Sequence, residues 1–151
     1  MTCVLRPVFE DDVDGIYGLT ELTGYGLTTL PRDRDWLAER VAEARAGFEK
    51  VPGDQPGGEL YLFVLEDTTD GSIAGVSGIV SKVGGFEPFY AYRIETEHHH
   101  SDALDIDKTL QTLHLVTEHN GPCEIGSLFL HPDHRGRGLG RLLSLGRFLF
   151  V

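Results

Sequence analysis

Cysteine, long hydrophobic runs and positive charge are all scarce in this sequence. Only two cysteines occur, Cys3 and Cys123, too few for a disulfide framework or a zinc site built from thiolates. No stretch approaches the roughly 18 apolar residues of a membrane-spanning helix, and the N-terminus lacks the apolar run of a signal peptide. Thirteen Lys and Arg stand against 24 Asp and Glu, a formal charge of −11. These absences argue against nucleic acid or a membrane as a partner and favour the cytoplasm.

The composition predicts a folded protein. Apolar residues make up 40% of the 151 positions and charged residues 25%, which is enough apolar surface for a packed core. The length matches one compact domain over residues 1–151, with no internal repeat or linker. The patterns run strand, helix, helix, strand, strand, an irregular segment, strand, helix. This order indicates an α/β or α+β domain.

The elements can be placed by their local signals. We expect a first strand at 2–8, a helix at 11–23, and a second helix beginning near Arg32 or Asp33. A loop over 51–58 precedes two strands, 61–66 and 72–83, which we expect to pair as an antiparallel hairpin. The segment 84–121 is the least regular, with one strand predicted near 110–116. A strand at 124–130 and a helix from Gly138 onward complete the pattern.

The most informative stretch is residues 127–143, where an apolar strand, a Pro-Asp turn and a Gly- and Arg-rich loop lead into a helix. Glycines at 136, 138 and 140 let the backbone approach a ligand, and the helix N-terminus adds partial positive charge. The loop therefore predicts an anion cradle suited to a diphosphate. Four arginines fall within 13 positions of this acidic chain: Arg135, Arg137, Arg141 and Arg147. The alternative is a flexible glycine turn with solvated arginines. The spacing matches neither the Walker pattern nor a good dinucleotide fingerprint.

The spacing Arg135-x-x-Gly138-x-Gly140 resembles the acyl-CoA-binding signature of the GCN5-related N-acetyltransferase fold. More narrowly, the chain resembles the N-terminal half of the arginine N-succinyltransferase family. The stretches that carry this resemblance keep their order along the chain: 4–8, 24–31, 61–67, 88–93, 119–121, 127–130 and 140–150. The resemblance implies a mixed, mostly antiparallel sheet flanked by helices. It also implies an architecture that is truncated here after the helix of the CoA loop.

The resemblance implies transfer of succinyl from succinyl-CoA to the α-amino group of L-arginine, in arginine catabolism, without a permanently bound cofactor. It places the acyl-pantetheine arm along Leu128, Phe129 and Leu130. It places the CoA pyrophosphate on the loop formed by Arg135, Gly136, Arg137, Gly138, Leu139, Gly140 and Arg141. Gly126 stands where the family usually has a cysteine, and the family's proton-donor histidine lies outside this chain.

Each remaining site candidate has both a functional and a purely structural interpretation. Glu124 is a candidate general base or a solvated residue at a strand end. Thr28 and Thr29 are candidate acceptor contacts or part of a helix–helix turn. Arg93 is a candidate partner for a substrate carboxylate, although core packing is the favoured role of its segment.

The sequence is also compatible with other functions. Besides the succinyltransferase, the chain could be a non-catalytic acyl-CoA-binding module or an inactive truncated fragment. It could equally be an N-acyltransferase with a different amine acceptor. A sheet cut after the CoA loop exposes an edge, which predicts a homo-oligomer or pairing with a second chain.

We predict no metal site. The histidines at 98–100 are adjacent and cannot all face one ion. His119 is assigned a structural hydrogen bond as readily as a role in binding. Both cysteines are expected to be inert, since neither has an evident activating base.

Overall fold

The computed structural model describes residues 2–24, 27–50 and 55–150. The strands are β1 (Cys3–Pro7), β2 (Leu60–Asp67), β3 (Ser72–Val80), β4 (Phe89–Ser101), β5 (Ile106–Glu118) and β6 (Glu124–Leu130). The α-helices are α1 (Val13–Glu21), α2 (Arg34–Phe48) and α3 (Leu139–Gly146). Short 3-10 turns precede α1, follow β6 and follow α3, at Glu10–Asp12, Pro132–His134 and Arg147–Phe150.

Four strands form the central sheet in the order β1-β2-β3-β6, and every pairing is antiparallel. Because the strands alternate in direction, the start of β1, the end of β2, the start of β3 and the end of β6 meet at one end of the sheet. We call this the Leu130 end. The start of β6 lies at the opposite end, which we call the Glu124 end.

The two faces of the sheet carry separate apolar clusters. On one face, α1 and α2 pack over β2 and β3 through Ile16, Leu37, Val41, Leu62 and Val64, all nearly inaccessible to solvent. On the other face, α3 packs through Leu143 against Leu65 and Ala74. Successive side chains of β2 point to opposite faces of the sheet, so Val64 belongs to one cluster and Leu65 to the other. Helices therefore cover both faces of an antiparallel sheet, which confirms the expected α+β class.

Local chemistry fixes where the first two helices begin. The side chain of Asp33 accepts hydrogen bonds from the backbone N–H of Asp35 and of Trp36, so the predicted start of α2 is confirmed. Asp12, almost fully buried, caps the turn before α1 by accepting from the N–H of Phe9. Arg6 donates to both carboxylate oxygens of Asp12, at 2.7 and 2.8 Å, and thereby ties β1 to α1.

Strands β4 and β5 form a separate two-stranded sheet of 13 residues each. The prediction of an irregular segment with one short strand was therefore wrong. The alternation is present, but one face carries Glu, His, Thr and Lys side chains, so it lacks the apolar signature by which strands are usually found. The tight turn at its tip contains no glycine; Asp105 adopts the left-handed conformation instead, with φ of 48°.

The remaining element predictions are confirmed with small shifts. The hairpin of β2 and β3 pairs as expected, and β6 spans the predicted 124–130. Residues 51–54 of the predicted loop lie outside the described residues. Among the helices of the described segments, none is long and apolar enough to cross a membrane.

Candidate functional site

The most unusual backbone of the central sheet lies in the middle of β6. Val76 pairs with Phe129 and Gly78 pairs with Gly126, so Ser127 and Leu128 together stand opposite Ser77 alone. This is a β-bulge, and Ser127 adopts φ of 52° within it. A bulge takes main-chain groups out of the ladder and leaves them available to a ligand. The sequence did not predict this bulge, because neither Ser77 nor Ser127 lies in a turn motif that would indicate a register shift.

The bulge contacts the segment between α1 and α2. The hydroxyl of Ser127 donates to the carbonyl oxygen of Thr29 at 3.4 Å. Thr28 and Thr29, predicted as acceptor contacts, are therefore brought beside the strand that was predicted to hold the acyl arm. Tyr25 and Gly26 of the same segment lie outside the described residues.

The Gly- and Arg-rich loop leaves β6 at the Leu130 end. Gly136 and Gly138 both have φ of 79°, a left-handed conformation that glycine adopts without strain. Neither has an atom within 4 Å of where a Cβ would stand, so the loop presents bare backbone to open space. Gly138 caps α3, and its carbonyl accepts from the N–H groups of Arg141 and Leu142. The amides of the first turn of α3 thus open toward the loop, where an anion would bind.

The arginines of this region divide into two groups. Arg135 donates through Nε to the carbonyl of Leu130 at 3.2 Å and lies over the ring of Phe129. Arg141 is exposed on the first turn of α3. Arg137 lies near Cys3, but burial and the neighbouring Asp67 carboxylate outweigh its positive charge and raise the pKa of the Cys3 thiol. These three residues remain in reach of a bound anion.

Arg147 is instead buried, 2% exposed. Its Nη1 donates to the carbonyls of Gly78 and Gly126, and its Nε to the carbonyl of Ser144. Burial lowers the pKa of this guanidinium, which nonetheless stays charged at neutral pH. The expectation that four arginines form one basic cluster is corrected to three, since Arg147 holds main-chain oxygens inside the protein.

Glu124 lies at the Glu124 end, paired with Val80, far along β6 from the loop. It lines a cleft of about 970 Å³ between α2, the end of β3 and the segment 82–89. Six glutamates and three basic residues line this cleft: Glu39, Glu43, Glu49, Glu59, Glu87 and Glu124, with Arg40, Lys50 and Lys82. The lining is therefore acidic and suits a cationic molecule better than an anion.

Arg93 lies on β4, away from the other candidates. Its guanidinium is 3.6 Å from the carboxylate of Glu95 on the same strand, and more than half of the side chain is exposed. Within the described part of the chain, no recorded contact joins Arg93 to Thr28, Thr29 or Glu124. The structure thus brings two of the three predicted acceptor contacts to β6 and leaves the third on the separate hairpin.

Known proteins resemble this chain over nearly its whole length. A family model described as "Arginine N-succinyltransferase beta subunit" matches residues 3–151. The proteins named arginine N-succinyltransferase from Citrobacter koseri and Escherichia coli are 42% and 40% identical over 149 residues, 98% of this chain. The solved structure of arginine/ornithine succinyltransferase subunit AI from Pseudomonas aeruginosa superimposes with a TM-score of 0.87 at 33% identity, over 98% of this chain. The chain spans only 42% of the length of the two sequence relatives and 44% of the solved chain.

Proposed function

This chain belongs to the arginine N-succinyltransferase beta subunit family, and on that premise we propose that it binds succinyl-CoA and transfers the succinyl group to the α-amino group of L-arginine. One observation carries the proposal. A single strand, β6, has a bulge at Ser127 and runs directly into the left-handed glycines and the helix N-terminus at 136–140. An acyl-CoA needs both features, a strand edge for its pantetheine amides and a cradle for its diphosphate.

The donor site is assigned residue by residue. We assign the main chain of Leu128, Phe129 and Leu130 to the pantetheine arm. The amides of Gly136, Gly138, Leu139 and Gly140, with the side chains of Arg135, Arg137 and Arg141, are assigned to the phosphates. The open space around Gly136 and Gly138 supports this assignment, because a phosphate oxygen can reach the backbone only where no side chain intervenes.

The transfer itself balances without a further reactant. The neutral α-amino nitrogen attacks the thioester carbonyl, a C–N bond forms, the C–S bond breaks, and coenzyme A leaves as a thiolate that takes up a proton. The oxyanion formed on the way needs an aimed N–H donor, and we assign this role to a main-chain N–H at the Ser127 bulge. The amine must also lose a proton, for which Glu124 is the candidate base on this strand.

The acceptor is proposed to approach from the side of β6 occupied by Thr28 and Thr29 and by the acidic cleft. Arginine carries a guanidinium and an α-amino group, both of which an acidic lining attracts. We keep Arg93 as a candidate contact for a substrate carboxylate, although its position on the hairpin requires the hairpin to approach β6 for that role.

Two measurements test the proposal in sequence. Calorimetric titration of the purified chain with succinyl-CoA tests the cradle, and acetyl-CoA serves as the matched donor without the distal carboxylate. Thiol release after adding L-arginine then tests transfer. If neither succinyl-CoA nor acetyl-CoA binds, the proposal is contradicted. Binding without thiol release would favour a non-catalytic acyl-CoA-binding module, and release only with another amine would assign a different acceptor.

We further propose that the chain forms a homo-oligomer through one face of the β4–β5 hairpin. Five side chains on that face are each more than half exposed: Tyr90, Tyr92, Ile94, Leu113 and Leu115. A contiguous exposed apolar patch of this kind marks an interaction surface on a protein.

The occupant we propose is a second copy of this chain. The part of the apolar face formed by these five side chains carries no charge, and Asp107 and His100 lie on the same face only near the tip of the hairpin. The opposite face carries Arg93, Glu95, Glu97 and His114. Because the chain as a whole is strongly acidic, the charge-free patch is where two copies can approach with least repulsion. The description of the family as a beta subunit leaves a different chain as the alternative occupant.

The association is tested by sedimentation over a range of concentrations. We expect a dimer that the double change Tyr92→Ser, Leu115→Ser dissociates, while the matched change Arg93→Ser, His114→Ser on the polar face leaves it intact. A monomer at every concentration would contradict the homo-oligomer and favour a different chain as the partner.

We also propose a cytoplasmic location, which the two free cysteines support and cell fractionation would test.

A further inference from the structure

Three residues far apart in the sequence meet at the Leu130 end of the sheet. Cys3 begins β1 and Asp67 ends β2, and the antiparallel register places them directly opposite each other. His134 arrives from the turn that follows β6. One sulfur, one carboxylate oxygen and one imidazole nitrogen from these residues all lie within 4.8 Å of one another.

The surroundings of this trio are those of a partly enclosed site. Asp67 is 5% exposed, and Cys3 and His134 are half-buried. The Nδ1 atom of His134 is inaccessible to solvent and has no hydrogen-bond partner among the described residues. A buried polar atom without a partner is costly, and such an atom in a native fold calls for a ligand or another specific explanation.

A catalytic relay of Cys, His and Asp does not fit this arrangement. In a relay the imidazole joins the other two groups through hydrogen bonds, one from each ring nitrogen. Here His134 Nδ1 makes none, while Asp67 Oδ1 accepts from the N–H of Thr69. The three atoms instead lie within 4.8 Å of one another, a spacing that allows all three to bind one ion.

We propose that Cys3, Asp67 and His134 bind a zinc-class divalent cation. Sulfur, imidazole nitrogen and carboxylate oxygen together are the donor set of Zn²⁺, whereas Mg²⁺ and Ca²⁺ take oxygen ligands. Three protein ligands leave the fourth tetrahedral position to a water molecule. On binding, the thiol of Cys3 releases its proton to solvent and the sulfur binds as thiolate.

A cation bound at this site would link two strands of the central sheet to the glycine loop. It joins the start of β1, the end of β2 and the turn that leads into Arg135 and the glycine loop. A bound cation therefore fixes the loop relative to the sheet, and it adds positive charge beside the proposed phosphate cradle. The proposed ion site shares no residue with the proposed phosphate cradle, so the ion can bind whether or not the chain transfers an acyl group.

The test uses the purified full chain with Co²⁺ as a spectroscopic substitute for Zn²⁺, followed by displacement of Co²⁺ with Zn²⁺. We expect binding of one ion per chain with thiolate-to-cobalt charge-transfer absorption in the near ultraviolet, lost when Zn²⁺ is added. Histidines 98–100 offer an alternative place for Co²⁺, but a site without sulfur gives no such absorption. Absence of the thiolate absorption in the unaltered chain would overturn the proposal.

Two matched pairs of variants assign the ligands. Cys3→Ser is expected to abolish the thiolate absorption and to weaken Zn²⁺ binding by at least about tenfold, whereas Cys123→Ser, at the exposed cysteine, leaves both unchanged. His134→Ala is expected to weaken Zn²⁺ binding similarly, whereas His100→Ala does not. Circular dichroism of each variant confirms that it is folded. Retention of the absorption in folded Cys3→Ser, or its loss in Cys123→Ser, would overturn the assignment.

Discussion

Arg147 Nη1 donates a hydrogen bond to the carbonyl oxygen of Gly78 at 2.8 Å, and so joins the turn after α3 to the strand beside the β6 bulge. The same nitrogen donates at 3.1 Å to the carbonyl of Gly126, the residue of β6 that pairs with Gly78 beside the bulge. The irregular register of β3 and β6 is thus supported by a buried guanidinium that reaches across both strands. Arg147, counted from the sequence as the fourth member of the arginine cluster, thus supports the proposed acyl site from inside the protein.

Replacing Arg147 with Ala is expected to lower the free energy of unfolding by about 2–4 kcal/mol. The change removes a buried guanidinium that donates to the carbonyls of Gly78 and Gly126, and it opens a cavity beside the bulge. Urea denaturation measures the loss. Arg141→Ala, on the exposed side of α3, is the matched control and should change stability by less than about 0.5 kcal/mol. Equal effects of the two changes would contradict the structural role of Arg147.

Gly138→Ala is expected to destabilise the protein by about 1–2 kcal/mol, since alanine is strained at φ of 79°. It should also weaken succinyl-CoA binding, because a methyl group then stands where the phosphate would approach the backbone. Gly18→Ala is the control: this exposed glycine of α1 has ordinary helical geometry and open space around it, so alanine should stabilise by about 0.5–1 kcal/mol. A stabilising Gly138→Ala would contradict the left-handed assignment.

Glu59 should make stability depend on pH. Burial alone raises the pKa of this carboxyl, but hydrogen bonds from Lys50, Ser81 and the N–H of Gly57 outweigh it and hold the pKa well below its ordinary value. Because the folded pKa is depressed, the stabilisation is present above the unfolded pKa of about 4.3 and is lost as the pH falls below it.

Glu59→Gln is accordingly expected to cost about 1–3 kcal/mol at neutral pH, with the difference from the unaltered chain shrinking in acid. Urea denaturation at a series of pH values measures both quantities. Glu39→Gln, at an exposed position of α2, should show no such trend. A cost that stays constant from neutral pH into acid would show that the charge of Glu59 is not responsible.

Arg135→Ala is expected to weaken succinyl-CoA binding by about five- to tenfold and to make the remaining affinity less sensitive to salt, because one charge-assisted phosphate contact is removed. Calorimetric titration at two ionic strengths measures both effects. Arg34→Ala provides the control, since Arg34 pairs with Asp14 at the start of α2 and has no part in the loop. An unchanged affinity would remove Arg135 from the binding site.

The sequence predicted those features that depend on neighbours along the chain. The cap at Asp33, the strand at 124–130 and the glycine loop all follow from local spacing, and the structure has them where expected. The β4–β5 hairpin was missed because the polar residues of one face hide the apolar alternation of the other. Burial of Arg147 was missed because charge in a sequence does not reveal which direction a side chain faces.

Features that depend on tertiary register were beyond the sequence. The bulge at Ser127 arises only when β6 is laid against β3, and its contact with Thr29 joins segments that share no sequence signal. The trio of Cys3, Asp67 and His134 is the clearest case. No metal-binding spacing relates these residues, and the fold alone brings them to one end of the sheet.

The β4–β5 hairpin shares no strand pairing with the central sheet within the described part of the chain. A two-stranded ribbon has little cooperative support of its own, so its hydrogen bonds can open without unfolding the rest of the molecule. Amide protons along 89–118 should then exchange with deuterium much faster than those of β2 and β3 in a lone chain. A second copy that covers the apolar face would slow that exchange. The exchange rate of the hairpin amides therefore measures whether the two copies have associated.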